Sequence, residues 1–595
     1  MANHTTKTKT FKVRLVLLCL LLFICIATYL YLQQTQAFIY YYREQQQILL
    51  LDYDYLSALI KPIGGMVVLI SQWLVQFFVL PCMGALVSTL LCLLTAVFLH
   101  LSTRILSNNI WWCLPLAFLP PVLFCVYLGE VYIHYDGLVA MGLGAISLWF
   151  YSILPMKRRL LRVGMGIVIV LTLFYLAGSV AVIIGIAILL LDLLRKEVKG
   201  RAYGSIPLVF VLFTGLIVYH QQWVVDAGSV FWINGYCEYY NEPSVLYSII
   251  WLCIPLWVVI GWLVGKLKEL AFWQQTCLSV CLLTFVAIVA FSSHKDHNHP
   301  AYNALLQQIH FADTEEWAKL TQVSGISVSN DIQMNYLNLA LSKQGRLLDN
   351  LFAYQQKGIG SLITREDNYT DVSVLLSRIY YHIGAIGAAQ NQAFSSNVGI
   401  TYGNPSMAKL LVKTYLINGY YALAEKQISQ LEKTKFYAEW ASSQRRFLYN
   451  DAEVEADIEL GAKRRGLSST DRFTMLYGPV DDMVALLEAN PDNNEAAEYL
   501  LSILLIAKDV GNINAFVEQY AGKGSMTNIP KRLQEAIAII HEHEPEYCRM
   551  HGVSQKTMED FQEFRQEYYT LRSQGKNTKT LARKYGRTFW YYMIQ

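Results

Sequence analysis

Charge is scarce in this chain of 595 residues: Lys, Arg, Asp and Glu together make up 16% of it, against about 25% in an ordinary soluble domain. The deficit is local. Residues 12–291 carry nearly all the long apolar runs, and residues 300–595 carry most of the charge. The net charge of +3 gives no reason to invoke nucleic acid, and the RNA- and DNA-binding signatures are missing. No Cys-x-x-Cys pair occurs, so neither a zinc frame nor a thioredoxin-like site is indicated. Nine of the 11 cysteines lie in or beside apolar runs, where cysteine acts as a small hydrophobe. Cys237 and Cys548 remain, too far apart in sequence to be expected as a pair. No Walker A sequence is present, and Asp192, near a helix end, is almost the only charge within an apolar run. ATP-driven and proton-coupled transport are disfavoured on those grounds.

What is present is a series of apolar runs long enough to span a bilayer, which takes about 20 residues. Residues 13–32 follow Lys7, Lys9, Lys12 and Arg14 and read as an uncleaved anchor with a cytoplasmic N-terminus. A cleaved signal peptide would have a shorter apolar region and a better site than Thr35-Gln36-Ala37. Further runs lie at about 63–80, 83–101, 110–128, 137–155, 163–194, 205–222, 246–265 and 269–291. As one helix, residues 163–194 would measure about 48 Å against a hydrocarbon core of about 30 Å. A hairpin breaking at Ala177-Gly178-Ser179 is therefore expected. If residues 63–80, with Gly64-Gly65, Gln72, Gln76 and Pro81, form a re-entrant or interfacial segment, every basic cluster falls inside. Those clusters are Arg104, Lys157–Arg162, Arg195–Arg201 and Lys266/Lys268. The expectation is then about nine crossings in residues 1–291, a linker at 292–300, and residues 301–595 outside the cytoplasm.

On that topology the outer loops 33–62, 129–136 and 221–243 gather aromatics and carboxylates, among them Asp52, Asp54, Glu130, Asp136, Asp226, Glu238 and Glu242. Aromatic faces and carboxylates are the means of holding a sugar or a lipid headgroup. Tyrosine and tryptophan also collect at any membrane interface, so the same loops fit a protein with no reaction to perform. Asp52-Tyr53-Asp54, in the first outer loop and flanked by Ile48–Leu51 and Leu56, resembles the arrangement in the multi-spanning GT-C glycosyltransferases. The resemblance implies a polyprenyl-phosphate sugar donor, Asp52 or Asp54 as the catalytic carboxylate, and Glu130 or Asp136 as a secondary one. The sequence departs from a phosphate-binding pattern in offering no outward arginine beyond Arg43.

The C-terminal half has helical periodicity throughout. Gly345, Gly384 and Gly419 lie 39 and 35 residues apart, close to the period of about 34 in tetratricopeptide repeats. Gly419-Tyr-Tyr-Ala-Leu-Ala424 resembles the turn between the two helices of such a repeat, and Asn404-Pro405 and Asn490-Pro491-Asp492 resemble its breaks. The fold expected is all-α: a polytopic helical bundle followed by a soluble α-solenoid that binds a protein partner through a concave face. Two histidine groups, His294/His297/His299 and His541/His543/His551, lack the frame of a metal site, and the second is not His-Glu-x-x-His. No metal ligand or cofactor residue is assigned. The tail 555–595, ending Phe-Trp-Tyr-Tyr-Met-Ile-Gln, is expected to cap the solenoid or touch the membrane. As a whole the chain resembles an uncharacterised family of bacterial multi-pass membrane proteins, through the segments REQQQILL, GGMVVLISQWLVQFFVLPCMGAL, GYYALAEKQISQLEKTKFYAEWA and KRLQEAIAII. That resemblance implies the bacterial inner membrane and a periplasmic tail. Two functions stay open: an envelope glycosyltransferase, or a non-enzymatic scaffold whose repeats bind envelope partners. Membrane lipid is a neighbour in both.

Overall fold

The computed structural model describes residues 2–107, 111–155, 159–195, 201–224, 226–238, 244–267, 270–297, 299–324, 330–367, 369–467 and 479–595. Among them there are helices and two isolated β-bridges, and no strand. The chain divides into two compact units. One comprises residues 1–44 and 49–299; the other comprises 300–595 together with the short segment Gln45–Ile48. The consecutive domains 1–291 and 301–595 do not include that excursion.

Among the described residues of the first unit, five helices are long and apolar enough to cross a membrane: Leu15–Glu44, Met83–Thr103, Leu160–Ala177, Val245–Lys266 and Phe272–Lys295. Shorter apolar helices span Gly65–Val79, Trp111–Tyr127, Val180–Leu194 and Ser205–His220. The chain is an all-helical membrane protein. The long run breaks at Gly178, whose φ of +75° no β-carbon tolerates easily, so Arg159–Ala177 and Val180–Leu194 form a hairpin. Met83–Thr103 packs along Asp136–Ser152 and buries Ala85, Ser88, Thr89, Cys92, Thr95, Ala96 and Leu99. Small residues on that stripe bring the helices close, which is how helices associate where lipid removes the hydrophobic drive between them. Gly84 lies under the Tyr40 ring, where a β-carbon would fall 2.4 Å from Cγ.

Helix ends of this unit collect into two sets. At one end, Tyr127 Oη and Ser244 Oγ are 2.7 Å apart, His134 N–H donates to Tyr236 O at 2.9 Å, and Tyr236 Oη donates to Ala177 O. Segment Gly65–Val79 starts and finishes at this end: Gly64 N–H donates to Tyr175 O at 2.9 Å, and Phe78 packs edge-on to Tyr40 and Tyr135 with centroids 5.1 and 5.2 Å away. At the other end, Arg162 and Asp192 form a buried ion pair at 2.7 Å. Tyr151 Oη donates to Asp192 Oδ2 at 2.7 Å, and Arg195 Nη2 donates to Ser152 O at 2.6 Å. The basic residues Lys157, Arg158, Lys196, Lys199 and Lys268 lie outside the described residues, as does Glu242.

The juncture expected as a linker is helical instead. Helix Phe272–His297 runs through Ser292–Asp296, because nothing there breaks a helix before Pro300. Proline then opens the next helix, Pro300–Asp313, at a position where its missing N–H costs nothing. The His297 side chain and Asn298 lie outside the described residues. In the second unit, helices pair as Thr370–Ile383 with Ile386–Gly399 and Pro405–Ile417 with Tyr421–Leu431. Gly384 and Gly419 take φ of +92° and +73° at the turns inside these pairs, and Gly345 takes +63° after helix Asp331–Lys343, the conformation that closes a helix C-terminus. Asn330, Asn404 and Asn493 cap the helices that follow them.

Later helices fold back rather than only extending the stack. Asn494–Ala507 packs on Leu347–Asn350 and Thr370–Ile383. The aromatic tail is core: Phe589, Trp590 and Tyr591 are buried. Glu535, fully buried, accepts from Arg532 at 2.5 Å and from Phe589 N–H at 2.8 Å, and its carbonyl accepts from Trp590 Nε1 at 2.7 Å.

Candidate functional site

The loop carboxylates singled out from the sequence occupy three different settings. Arg43, in the last turn of the first helix, donates to the carbonyls of Leu128, Ile133 and Glu130 at 2.7, 2.7 and 3.0 Å. Arg43 is thus engaged in holding loop 128–133. Glu130, partly buried, lies 3.6 Å from His299 Nε2. The same loop pairs with a second: Ile133 bridges Cys237, and Glu238 N–H donates to Tyr132 O at 2.9 Å. Asp136 follows, buried at the N-terminus of helix Asp136–Ser152, where the helix dipole favours a carboxylate. Its Oδ1 has no hydrogen-bond partner. Around it stand Tyr236, stacked on Trp251 with centroids 5.2 Å apart, and Tyr247.

Asp52 and Asp54 belong to another element. Asp52 precedes helix Tyr53–Ile60 and Asp54 lies in its first turn; no residue of this helix is buried. Asp54 is exposed and Asp52 half-exposed. Asp226 is taken up as a helix cap, accepting from Ser229 N–H at 2.8 Å. Among the described residues no three His, Cys, Asp or Glu side chains form a group that could hold a metal ion.

In the second unit, Gln45–Ile48 lies extended beside Tyr402: Ile48 N–H donates to Tyr402 O at 2.8 Å, and Gln47 forms a parallel bridge with Tyr402. Gln45 Oε1 lies 2.6 Å from Ser406 Oγ, which is 2.8 Å from Asp313 Oδ1. Asp313 in turn pairs with Arg378. That chain of contacts ends at a cavity of about 170 Å³ whose lining includes Trp317, Lys343, Arg378, Tyr381, Lys409 and Glu459. Helices Asp331–Lys343, Thr370–Ile383 and Pro405–Ile417 all contribute.

Behind this surface, Ser342 Oγ sits 2.6 Å from Glu498 Oε2 and 2.9 Å from His382 Nε2. Burial pushes the Glu498 carboxyl up to about 7, against the pull of Ser342 and the Leu347 and Leu348 N–H groups. Burial, with Lys343 and Lys463 nearby, holds His382 well below the usual histidine range.

The profile of a family of unknown function, DUF6057, matches residues 10–595. The chain belongs to that family. No curated protein and no solved structure matches it.

The family match covers both units, so the membrane bundle and the helical C-terminal unit are features of one protein type. Of the four carboxylates singled out from the sequence, Glu130 and Asp136 share a loop and its helix, and Asp52 and Asp54 share another helix. Neither the cavity above nor a second one at Lys61–Ile63 is lined by any of the four. Residues that sequence reasoning missed are Arg162, Gln45, Lys61 and Glu498. Arg162 stood in a basic cluster with no sign of its buried partner. Gln45 looked like any residue of a polar loop. His541 and His551 proved to stack on the two faces of Tyr547, at 3.9 Å each.

Proposed function

We propose that this protein is an inner-membrane scaffold whose C-terminal unit is a tetratricopeptide-like platform outside the cytoplasm, binding an extended segment of an envelope partner. The observation that carries this reading is the extended segment Gln45–Ile48, held by backbone bonds to Tyr402 and side-chain contacts to Ser406 and Tyr437. A surface that holds one extended peptide through main-chain pairing has the chemistry to hold another. The adjoining cavity, with Lys409, Glu315 and Trp317 in its lining, supplies charge of both signs and an aromatic face for selecting side chains. Membership of Gln45–Ile48 in that unit also supports the topology. The intervening chain must leave one side of the membrane and return to it, an even number of crossings. Nine crossings in all, with residues 63–80 turning back, satisfy this, and the positive-inside rule puts the helical unit outside.

A second reading, sugar transfer from a polyprenyl-linked donor, is favoured by helix Tyr53–Ile60. It has no buried residue and presents Asp54 with Asp52 at its start, as an interfacial helix would. Complementation of a deletion strain separates the two. For the platform, Lys409→Glu and Glu315→Lys abolish function while Asp52→Asn and Asp54→Asn preserve it; the reverse pattern replaces the platform with the transferase. A reporter fused after Gln595 that is active only in the cytoplasm overturns the topology.

A further inference from the structure

Within the first unit a cavity of about 460 Å³ opens among Lys61, Ile63, Phe174, Tyr175, Val218 and Trp223, a volume in the range of about 300–1,000 Å³ typical of small-molecule sites. Its rim is built by hydrogen bonds. Residues 61–64 turn tightly, with Gly65 N–H on Pro62 O and Gly64 N–H on Tyr175 O, both at 2.9 Å. On the other side the chain reverses after Ser205–His220 at Gln222, with φ +57°, and Trp223 N–H donates to Val218 O at 3.2 Å. Lys61 is the one charged residue among the described residues that line the cavity. The carboxylate of Asp226, two residues beyond the lining residue Val224, is turned to Ser229. The helices on either side expose Val168, Tyr175, Phe210, Phe213 and Ile217, an apolar surface fit for hydrocarbon and not for water.

We propose that this cavity binds the apolar chain of an anionic, phosphate-bearing membrane lipid, with Lys61 holding the phosphate at the rim. An entrant must come from the hydrocarbon, because the flanking surface is apolar. Its tail is therefore apolar, and its head must suit a lone cation placed among interfacial Tyr175 and Trp223. The site takes lipid whether or not the helical unit is a docking platform.

The test uses the full chain in nanodiscs of equal phosphatidylglycerol and phosphatidylcholine, re-extracted and weighed by native mass spectrometry. The protein should retain phosphatidylglycerol in preference to phosphatidylcholine. Lys61→Gln, an exposed change that leaves the fold alone, should reduce the preference about fivefold, the factor one cation contributes at an anionic membrane surface. Thr214→Trp, which fills the cavity, should release both lipids. Retention of the two lipids in their bilayer ratio, or an unchanged preference in Lys61→Gln, overturns the proposal. So does inorganic phosphate that, with no lipid present, protects Lys61 from an amine-acylating reagent, since the site would then be one for a free ion.

Discussion

Helices Ser205–His220 and Asn494–Ala507 are similar in length and both strongly apolar, yet they are used in opposite ways. The first exposes Val209, Phe213 and Leu216 and buries only Pro207, Val211, Gly215 and Val218. The second buries ten of its 14 residues. In the C-terminal unit, removing apolar surface from water drives packing, at about 25 cal/mol per Å². In the bundle, lipid covers the outer apolar faces without penalty, and the contacts worth making are close approaches of small residues and satisfied polar groups. Ser88 Oγ with Tyr135 Oη at 2.9 Å is one such contact. Arg162 with Asp192 is another, a charge pair enclosed in the bundle as Arg532 with Glu535 is in the other unit.

The comparison can be broken most sharply at that ion pair. Arg162→Ala leaves Asp192 buried without its partner and should cost about 3–5 kcal/mol, while Arg162→Met with Asp192→Leu should cost less than either single change. Thermal unfolding of the detergent-solubilised protein checks both; a loss in the double variant equal to the sum of the two single losses would show the pair is not coupled. Next, Leu501→Ala, in the core of the C-terminal unit, should cost about 2–5 kcal/mol, and Phe213→Ala, on the lipid face, less than about 0.5. A matching loss at both positions would mean that helix Ser205–His220 is packed against protein.

The third effect depends on pH. Glu498 titrates near 7 in the folded protein instead of at its ordinary 4.5. Between those values the folded chain keeps a proton that the unfolded chain has lost, so stability falls as pH rises through this window. His382 has the opposite sign: its neutral form is favoured by folding, and its contribution is lost as pH falls below 6.5. Comparing Glu498→Gln with the parent protein cancels the histidine. The variant should gain up to about 3 kcal/mol relative to the parent between pH 4.5 and 7, less for the part of the carboxylate that water still reaches. A constant difference across that range would place the carboxylate in water. The smallest effect is at Asp54, where Asn should change stability by no more than about 0.5 kcal/mol; a larger loss would give the exposed helix Tyr53–Ile60 a structural role.

Much of the architecture can be read from local patterns. Apolar runs of 18 residues or more, the break at Gly178, and the glycines that end helices at 345, 384 and 419 depend on composition and backbone sterics within a few residues. The candidate carboxylates were legible only as a list. Asp52, Asp54, Glu130 and Asp136 look alike in sequence, and only packing makes Asp136 buried, Glu130 a neighbour of His299, and Asp54 exposed. The aromatic tail carried no local sign of burial, because burial depends on what the rest of the chain brings against it.

The sequence by itself determined that this is an all-helical protein with an apolar first half and a charged second half, since helix period and hydrophobicity are properties of neighbouring residues. Tertiary structure alone decided that Gln45–Ile48 joins a unit that otherwise starts some 250 residues later, that Arg162 meets Asp192, and that Lys61 stands over an apolar cavity. Each is a contact between residues far apart in the chain, and it exists only when the free energy of the whole fold holds both partners in place.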